Sequence, residues 1–146
     1  MKVDFYLLSS DPAPAATALL ARKVREQDER LLIVADDLEL LETISQALWT
    51  AAPEHFLANG IAGDEHDARQ PILLSNEVEP TNGAKFLLIA DGQWREPEGE
   101  FGRLFFLFDD STIDAARRNW KALESREDME RQFWKQDDRG RWTQAG

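Results

Sequence analysis

The chain has no cysteine and few histidines or tyrosines. Its 146 residues include two histidines and one tyrosine. The lack of cysteine excludes disulfides, thiolate metal sites and cysteine nucleophiles together. It also fits the reducing cytoplasm, where we expect this protein to be found.

Positive charge is scarce as well. The chain has 17 Lys and Arg against 28 Asp and Glu, which gives a formal net charge of −11 at pH 7. Proteins that coat nucleic acid bind its phosphates through Lys and Arg, and an acidic surface repels those phosphates. We therefore expect no direct binding of nucleic acid, and a basic site would have to be local.

Long apolar runs are also missing. The N-terminal run from Val3 to Leu8 ends at Ser9-Ser10-Asp11-Pro12. It is too short for a transmembrane helix, which needs about 20 apolar residues, or for a signal peptide. With 42% hydrophobic residues, the chain still has enough apolar surface for a core. We expect one domain over residues 1–146 and no membrane segment.

Short apolar runs alternate with segments of helical periodicity. Strands are predicted at Val3–Leu8, Leu31–Ala35, Pro71–Leu74, Lys85–Ala90 and Leu104–Phe108. Helices are predicted at Ala15–Glu26, Leu38–Trp49 and from Ser111 to about Glu124, with the last one resuming to Phe133. This order predicts βαβ units and an α/β fold with a mostly parallel sheet. The segment from about residue 134 onward is interpreted as a polar tail.

The loop after the first predicted strand carries no nucleotide-binding fingerprint. It contains neither Gly-x-Gly-x-x-Gly nor Gly-Lys-Ser/Thr. Because these glycines let the backbone approach a pyrophosphate closely, their absence argues against a dinucleotide or P-loop site. We expect no cofactor.

Two aspartate pairs, Asp36-Asp37 and Asp109-Asp110, each follow a predicted strand directly. Ligands of α/β proteins bind at the carboxyl ends of strands, where paired carboxylates could hold Mg²⁺ or transfer protons. An alternative function is therefore a metal-dependent enzyme that uses these aspartates at the carboxyl edge of the sheet. The favoured interpretation is simpler, because Asp is a preferred residue at a helix start. On that interpretation there is no metal site and no catalytic residue.

The densest basic cluster of this acidic chain lies on the last predicted helix. Arg117 and Lys121 are four residues apart and share one face, and Trp120 lies near it. Two cations beside an indole suit a carboxylate that is joined to an aromatic side chain. The alternative is that Trp120 belongs to the core and the cations are only solvated.

Short motifs over nearly the whole chain occur in the order and spacing of one known family. They are Phe5-Tyr6-Leu7-Leu8, Leu32-Ile33-Val34-Ala35-Asp36-Asp37, Ala47-Leu48-Trp49, Pro53-Glu54-x-Phe56, Ile61-Ala62-Gly63-Asp64, Pro71-Ile72, Ala116-Arg117-Arg118-Asn119-Trp120-Lys121 and Phe133-Trp134-Lys135-Gln136-Asp137-Asp138-Arg139-Gly140-Arg141-Trp142. On these residues the chain resembles the chi subunits of bacterial DNA polymerase III holoenzyme.

The resemblance implies a three-layer, Rossmann-like domain that binds no nucleotide and catalyses no reaction. It implies an accessory subunit of the replisome that binds the acidic C-terminal peptide of single-stranded-DNA-binding protein. It also implies a psi subunit as a partner, which bridges to the clamp loader. The peptide ends in a phenylalanine that carries the α-carboxylate.

Carried over by position, the resemblance also names site residues. The implied peptide pocket consists of Trp49, Phe56, Phe106, Arg117, Trp120 and Lys121. The resemblance implies that Trp49, Phe56 and Phe106 form a slot for the terminal phenylalanine and that Arg117 pairs with its carboxylate. Trp120 and Lys121 would form the wall and the outer charge. At Ile113 some family members have a lysine, so this chain lacks that cation.

The implied psi-facing surface is the charged segment around Trp94 and Phe101. Two aromatic residues in a charged stretch suit an interface anchor. They could equally fold back onto the core.

Overall fold

A computed structural model describes residues 1–50, 57–137 and 139–145. Within these ranges one sheet contains eight strands, and α-helices lie on both of its faces. The strands are β1 (Lys2–Leu7), β2 (Leu31–Val34), β3 (Gly60–Ile61), β4 (Ile72–Ser75), β5 (Phe86–Ile89), β6 (Arg103–Phe108), β7 (Glu130–Gln136) and β8 (Trp142–Gln144). The helices are α1 (Ala13–Glu26), α2 (Leu38–Thr50) and α3 (Ile113–Ala122).

The strand order across the sheet is β3-β4-β2-β5-β6-β1-β7-β8. Neighbouring strands are parallel except β7 and β8, which are antiparallel. The predicted α/β fold with a mostly parallel sheet is therefore confirmed. None of the helices in the described ranges is long and apolar enough to cross a membrane.

The central strands are buried on both faces. β2 reads Leu-Leu-Ile-Val, and all four of its residues are buried. Such continuous apolar runs are typical of parallel strands that are covered by helices on both sides. Residues with even numbers in β1 face α1 and α2, whereas odd ones such as Phe5 face α3. Three layers result, with one apolar core on each side of the sheet.

The C-terminal prediction was wrong in two respects. The chain does not return to a helix after α3, and the polar segment is not a tail. Residues 130–136 form β7, which pairs with β1, and β8 pairs with β7. Phe133 packs against one core and Trp134 against the other. β7 reads Glu-Arg-Gln-Phe-Trp-Lys-Gln, so its two aromatic residues lie among charged and polar ones and it lacks the apolar run that marks β2.

Candidate functional site

An open cleft of about 530 Å³ lies between α3 and the sheet. Leu7 and Phe108, the last residues of β1 and β6, lie at its edge. The chain leaves β1 into a helix on one face of the sheet and leaves β6 into α3 on the other. Crevices of this kind, at the carboxyl ends of strands, are where open α/β sheets bind ligands. The lining residues are Phe5, Leu7, Phe108, Ile113, Ala116, Arg117, Trp120, Phe133, Lys135 and Ala145.

Aromatic rings form the floor of the cleft. Phe108 stacks with Phe133 at a centroid distance of 6.0 Å, and its ring meets that of Phe5 edge-on at 6.2 Å. Phe5 and Phe108 are almost completely buried, whereas Phe133 is partly exposed. Rings held on three neighbouring strands give a rigid apolar surface that needs little reorganisation to accept another ring.

Trp120 forms one wall of the cleft. Its indole is half-buried and lies edge-on to Phe5 at 5.2 Å and to Phe133 at 6.2 Å. On its other side the guanidinium of Arg131 lies 4.2 Å from the ring centroid. Arg131 also donates a hydrogen bond to the Trp120 carbonyl. Trp120 therefore packs in the core and also lines the cleft, so the core interpretation and the binding-site interpretation of this residue both apply.

Two cations flank the aromatic floor. Arg117 comes from α3, and Lys135 comes from β7 on the opposite side. Arg117 lies 3.7 Å from the Asp114 carboxylate, with the two side chains 73% and 84% exposed. Such an exposed pair contributes little, so a ligand carboxylate can replace Asp114 at small cost. Lys121 is exposed one turn after Arg117 and does not line the cleft.

Sequence reasoning missed Lys135 because it missed β7. In a strand, Lys135 and Phe133 point to the same face, two residues apart. A correct strand assignment would have placed this lysine beside the aromatic floor. Lys135 and Arg117 are far apart in sequence, so their spacing alone does not indicate that they share a site.

Phe106 is predicted as a lining residue, but the structure buries it. It is 0% exposed and lies edge-on beneath Phe5, at a centroid distance of 5.2 Å. Phe106 points to the same face as Phe108 but lies one pair of residues further into the sheet, where Trp94 covers it at 5.6 Å. Phe106 therefore packs beneath the cleft floor and does not line the cleft.

Trp49, another predicted pocket residue, is not brought to the cleft. Trp49 lies near the end of α2, whose buried face packs on the side of the sheet away from α3. Phe56 lies outside the described residues. Of the six residues in the predicted pocket, Arg117 and Trp120 line this cleft.

Trp94 and Phe101 both fold onto the core beside α3. Phe101 is only 7% exposed. Trp94 is half-buried, and its ring is nearly parallel to that of Phe5 at 6.3 Å. The segment that joins β5 to β6 thus covers the same aromatic cluster from which the cleft floor is built.

The first aspartate pair is engaged in ion pairing and capping. Asp36 accepts a 2.7 Å hydrogen bond from Arg95, which also donates to Asp91 at 2.9 Å. Burial would raise the pKa of Asp91, but the hydrogen bonds that it accepts from Arg95 and from the Asp36 and Gln93 backbone lower it on balance. Asp37 accepts from the backbone N–H of Glu39, as expected of a residue that caps α2.

In the second pair, Asp109 is used within its own turn, whereas Asp110 is exposed. Asp109 accepts hydrogen bonds from the Ser111 hydroxyl at 2.5 Å and from the Ser111 backbone N–H at 2.9 Å. These bonds, the hydroxyl first, hold the pKa of Asp109 below its usual range. Across the described ranges, no three His, Asp or Glu side chains lie close enough together to hold a metal ion. The geometry therefore gives no support to the metal-dependent alternative.

Comparison with known proteins agrees with the earlier resemblance. Residues 1–140 match the model of the family described as "DNA polymerase III chi subunit, HolC". A curated relative, "Probable DNA polymerase III subunit chi" of Rickettsia prowazekii (strain Madrid E), is 27% identical over 86 residues. That match covers 59% of this chain and 52% of the relative, so the chain spans about half of the relative's length.

A solved structure shares the fold. It is a variant of the C-terminal domain of Dbp5 from S. cerevisiae, bound to Gle1 and IP6. The TM-score is 0.53 with 13% identity, over 91% of this chain and 90% of the other. At this identity the likeness concerns the fold alone. The family match, in contrast, covers nearly every residue, and the chain belongs to the DNA polymerase III chi subunit family.

Proposed function

We propose that this protein is a non-catalytic accessory subunit of the DNA polymerase III holoenzyme. It links single-stranded-DNA-binding protein to the clamp-loader complex by binding the acidic C-terminal peptide of that protein. Membership of the chi family supports the place in the holoenzyme. The cleft between α3 and the sheet supports the binding of an acidic peptide.

The observation that carries the proposal is the position of Arg117 and Lys135 on either side of an aromatic floor. A peptide that ends in phenylalanine has an apolar ring and a carboxylate on the same residue. The ring packs on Phe133 and Phe108, and Arg117 forms a charge-assisted pair with the α-carboxylate. The net charge of −11 makes this local basic site more significant, because the rest of the surface repels an acidic peptide.

The other residues of the site have distinct roles in this proposal. Trp120 is the wall against which the terminal ring packs, and Lys121 attracts acidic side chains that precede it. Lys135 joins the set as a second cation. Phe106 and Trp49 are left out, since one is buried and the other lies on α2 across the sheet. Phe56 stays a predicted contact outside the described residues.

The link to the clamp loader runs through a psi subunit. Trp94 is the candidate contact, because its indole is half-buried and lies on the segment between β5 and β6. Phe101 supports this segment from within the core. Replacing Trp94 with alanine should weaken binding of psi more than binding of the acidic peptide, which it affects only through the packing of Trp94 on Phe5. If the unmodified protein and Trp94→Ala bind psi with equal affinity, Trp94 is not part of the psi interface.

The peptide proposal is tested by titrating a peptide that ends in Asp-Ile-Pro-Phe against the protein and two variants. Arg117→Ala should lose about 1.5–3 kcal/mol of binding free energy, the range for a hydrogen bond to a charged group. Arg118→Ala is the matched control, because Arg118 is exposed on the same helix and does not line the cleft. Equal affinities in all three proteins, or no binding in any, would contradict the proposal.

A further inference from the structure

A second pocket lies on the opposite face of the sheet, between α1 and the strands around β1 and β7. Its volume is about 260 Å³. Side chains alternate across a strand, so Phe5 faces the cleft beside α3, which we call the peptide cleft, whereas Tyr6 faces this second pocket. Its lining residues are Tyr6, Leu20, Lys23, Val24, Gln27, Arg103, Phe105, Trp134 and Trp142.

Flat aromatic surfaces form most of the wall, so we call this site the aromatic pocket. Tyr6 stacks with Trp134 at 6.1 Å with an angle of 12° between the rings. Trp142 stands edge-on to Tyr6 at 5.0 Å, and Phe105 is tilted against Tyr6 at 6.0 Å. These rings already contact one another, so a planar group would pack on the parts of Trp134 and Trp142 that remain exposed, in the stacked or edge-on arrangements that aromatic pairs favour.

Tyr6 brings an unused hydrogen-bond donor to the aromatic pocket. The residue is 6% exposed, and its hydroxyl forms no hydrogen bond with any described residue. Burial, with a contribution from Asp4, raises the pKa of Tyr6 to about 12, so the hydroxyl keeps its proton at neutral pH. The hydroxyl is not buried without a partner, a state that among the described residues is found at Thr17 Oγ1, so an acceptor atom on a ligand would replace water at the Tyr6 hydroxyl.

Two cations stand at the aromatic pocket. Arg103 is fixed, because it donates to the fully buried Asp4 at 2.7 Å and lies 4.9 Å from the Phe105 ring centroid. Asp4 also accepts from the Trp134 indole at 3.2 Å. Lys23 is exposed, and within the described ranges no carboxylate lies within ion-pair distance of it. Asp4 offsets the charge of Arg103, so Lys23 leaves the site with a positive excess.

We propose that the aromatic pocket binds a small ligand in which a planar aromatic group carries an anionic group. The ring lies among Tyr6, Trp134 and Trp142. The anionic group accepts a hydrogen bond from the Tyr6 hydroxyl and pairs with Lys23. A volume of about 260 Å³ admits one ring system with its charged group and excludes a longer chain. The site is separate from the peptide cleft, so the proposal does not depend on peptide binding.

Aromatic acids and nucleoside monophosphates share this chemistry, and the choice of probes distinguishes them. The anionic probes are indole-3-acetate and adenosine monophosphate, and the neutral counterparts are indole-3-acetamide and adenosine. Calorimetry gives occupancy and affinity for all four probes, because the indole probes fluoresce like tryptophan and would mask the signal of Trp134 and Trp142, which line the site. At least one anionic probe should bind more tightly than its neutral counterpart. The probe that does so shows whether the ligand is an aromatic acid or a nucleoside monophosphate.

Two variants test the residues. Tyr6→Phe removes only a hydroxyl that has no partner among the described residues, so it should leave the unfolding midpoint unchanged and weaken the anionic probe about three- to tenfold. Lys23→Gln should weaken the same probe and reduce the preference over the neutral one. Arg22→Gln is the control, because Arg22 pairs with Glu26 on the same helix and does not line the site. Arg117→Ala should also have no effect on these probes.

The proposal is overturned if neither anionic probe binds at millimolar concentration. It is equally overturned if anionic and neutral probes bind alike, or if Tyr6→Phe and Lys23→Gln bind the anionic probe as tightly as Arg22→Gln does. Loss of peptide binding in Arg117→Ala with retained probe binding would support two independent sites.

Discussion

The guanidinium of Arg131 lies over the indole of Trp120, with its central carbon 4.2 Å from the ring centroid. Arg131 belongs to β7, and Trp120 belongs to α3. Since Arg131 also donates to the Trp120 carbonyl, it joins the helix to the strand in two ways. The cleft lies beside this contact, because residues of both elements line it.

Replacing Arg131 with alanine should therefore destabilise the protein and weaken peptide binding, although Arg131 does not line the cleft. The cation–π contact and the hydrogen bond together predict a loss of about 1–2 kcal/mol in the free energy of unfolding. Urea denaturation monitored by tryptophan fluorescence measures it. Arg131→Lys is the matched variant, since lysine keeps the charge but lacks the planar group that stacks on the ring. Unchanged stability in Arg131→Ala would show that the contact contributes nothing.

Lys135 should act on the peptide mainly through its charge. Lys135→Ala is expected to weaken binding by about 0.2–1 kcal/mol at low salt, the range for exposed ion pairs. The difference from the unmodified protein should shrink as salt is added, because salt screens exposed charges. Titrations at two ionic strengths measure this. Lys85→Ala is the control, since Lys85 is exposed and pairs with Glu100 away from the cleft. A salt-independent loss would assign Lys135 a different role.

Phe106 should behave as a core residue. Phe106→Ala is expected to lower the free energy of unfolding by about 3–5 kcal/mol, because it leaves a cavity beneath Phe5. Trp49→Ala, on the other side of the sheet, should leave peptide affinity within twofold. Denaturation and peptide titration on both variants measure these effects. A Phe106→Ala protein of normal stability with lost peptide binding would place Phe106 in direct contact with the peptide.

Asp91 should make the protein sensitive to acid. Its pKa in the folded state is lowered from about 3.8, so its contribution to stability is full above that value and is lost as pH falls through the folded-state pKa. Asp91→Asn should therefore be less stable than the unmodified protein at pH 7, and the difference should shrink in acid. Unfolding midpoints at neutral and acidic pH measure it, with exposed Asp110→Asn as control. A difference that stays constant with pH would exclude the Arg95 pairing as its cause.

The sequence predicted the interior of the sheet well and its C-terminal edge poorly. β2 and β5 are apolar runs buried on both faces, and such runs are unambiguous. β7 has its two aromatic residues, Phe133 and Trp134, next to each other among charged and polar residues, and it faces solvent in part. That pattern was interpreted as helix and tail, and Lys135 was lost with it. Only the pairing of β7 with β1 reveals its register.

The sequence also could not predict which phenylalanines of β6 line the candidate site. Every residue from Leu104 to Phe108 is apolar, so the sequence cannot tell which phenylalanine borders a cleft and which lies beneath the core. The answer depends on Trp94, which covers Phe106 from a distant segment. Arg117 and Trp120 could be predicted, because their spacing on one helix is local information.

The pairing of Arg117 with the peptide's terminal carboxylate is the central claim, and a double-mutant cycle tests it most directly. The cycle combines Arg117→Ala with a peptide whose C-terminus is amidated, and calorimetry measures the four affinities. If the guanidinium holds that carboxylate, each change alone should weaken binding and the second should add little, with a coupling energy above about 1 kcal/mol. Additive losses with no coupling would contradict the account.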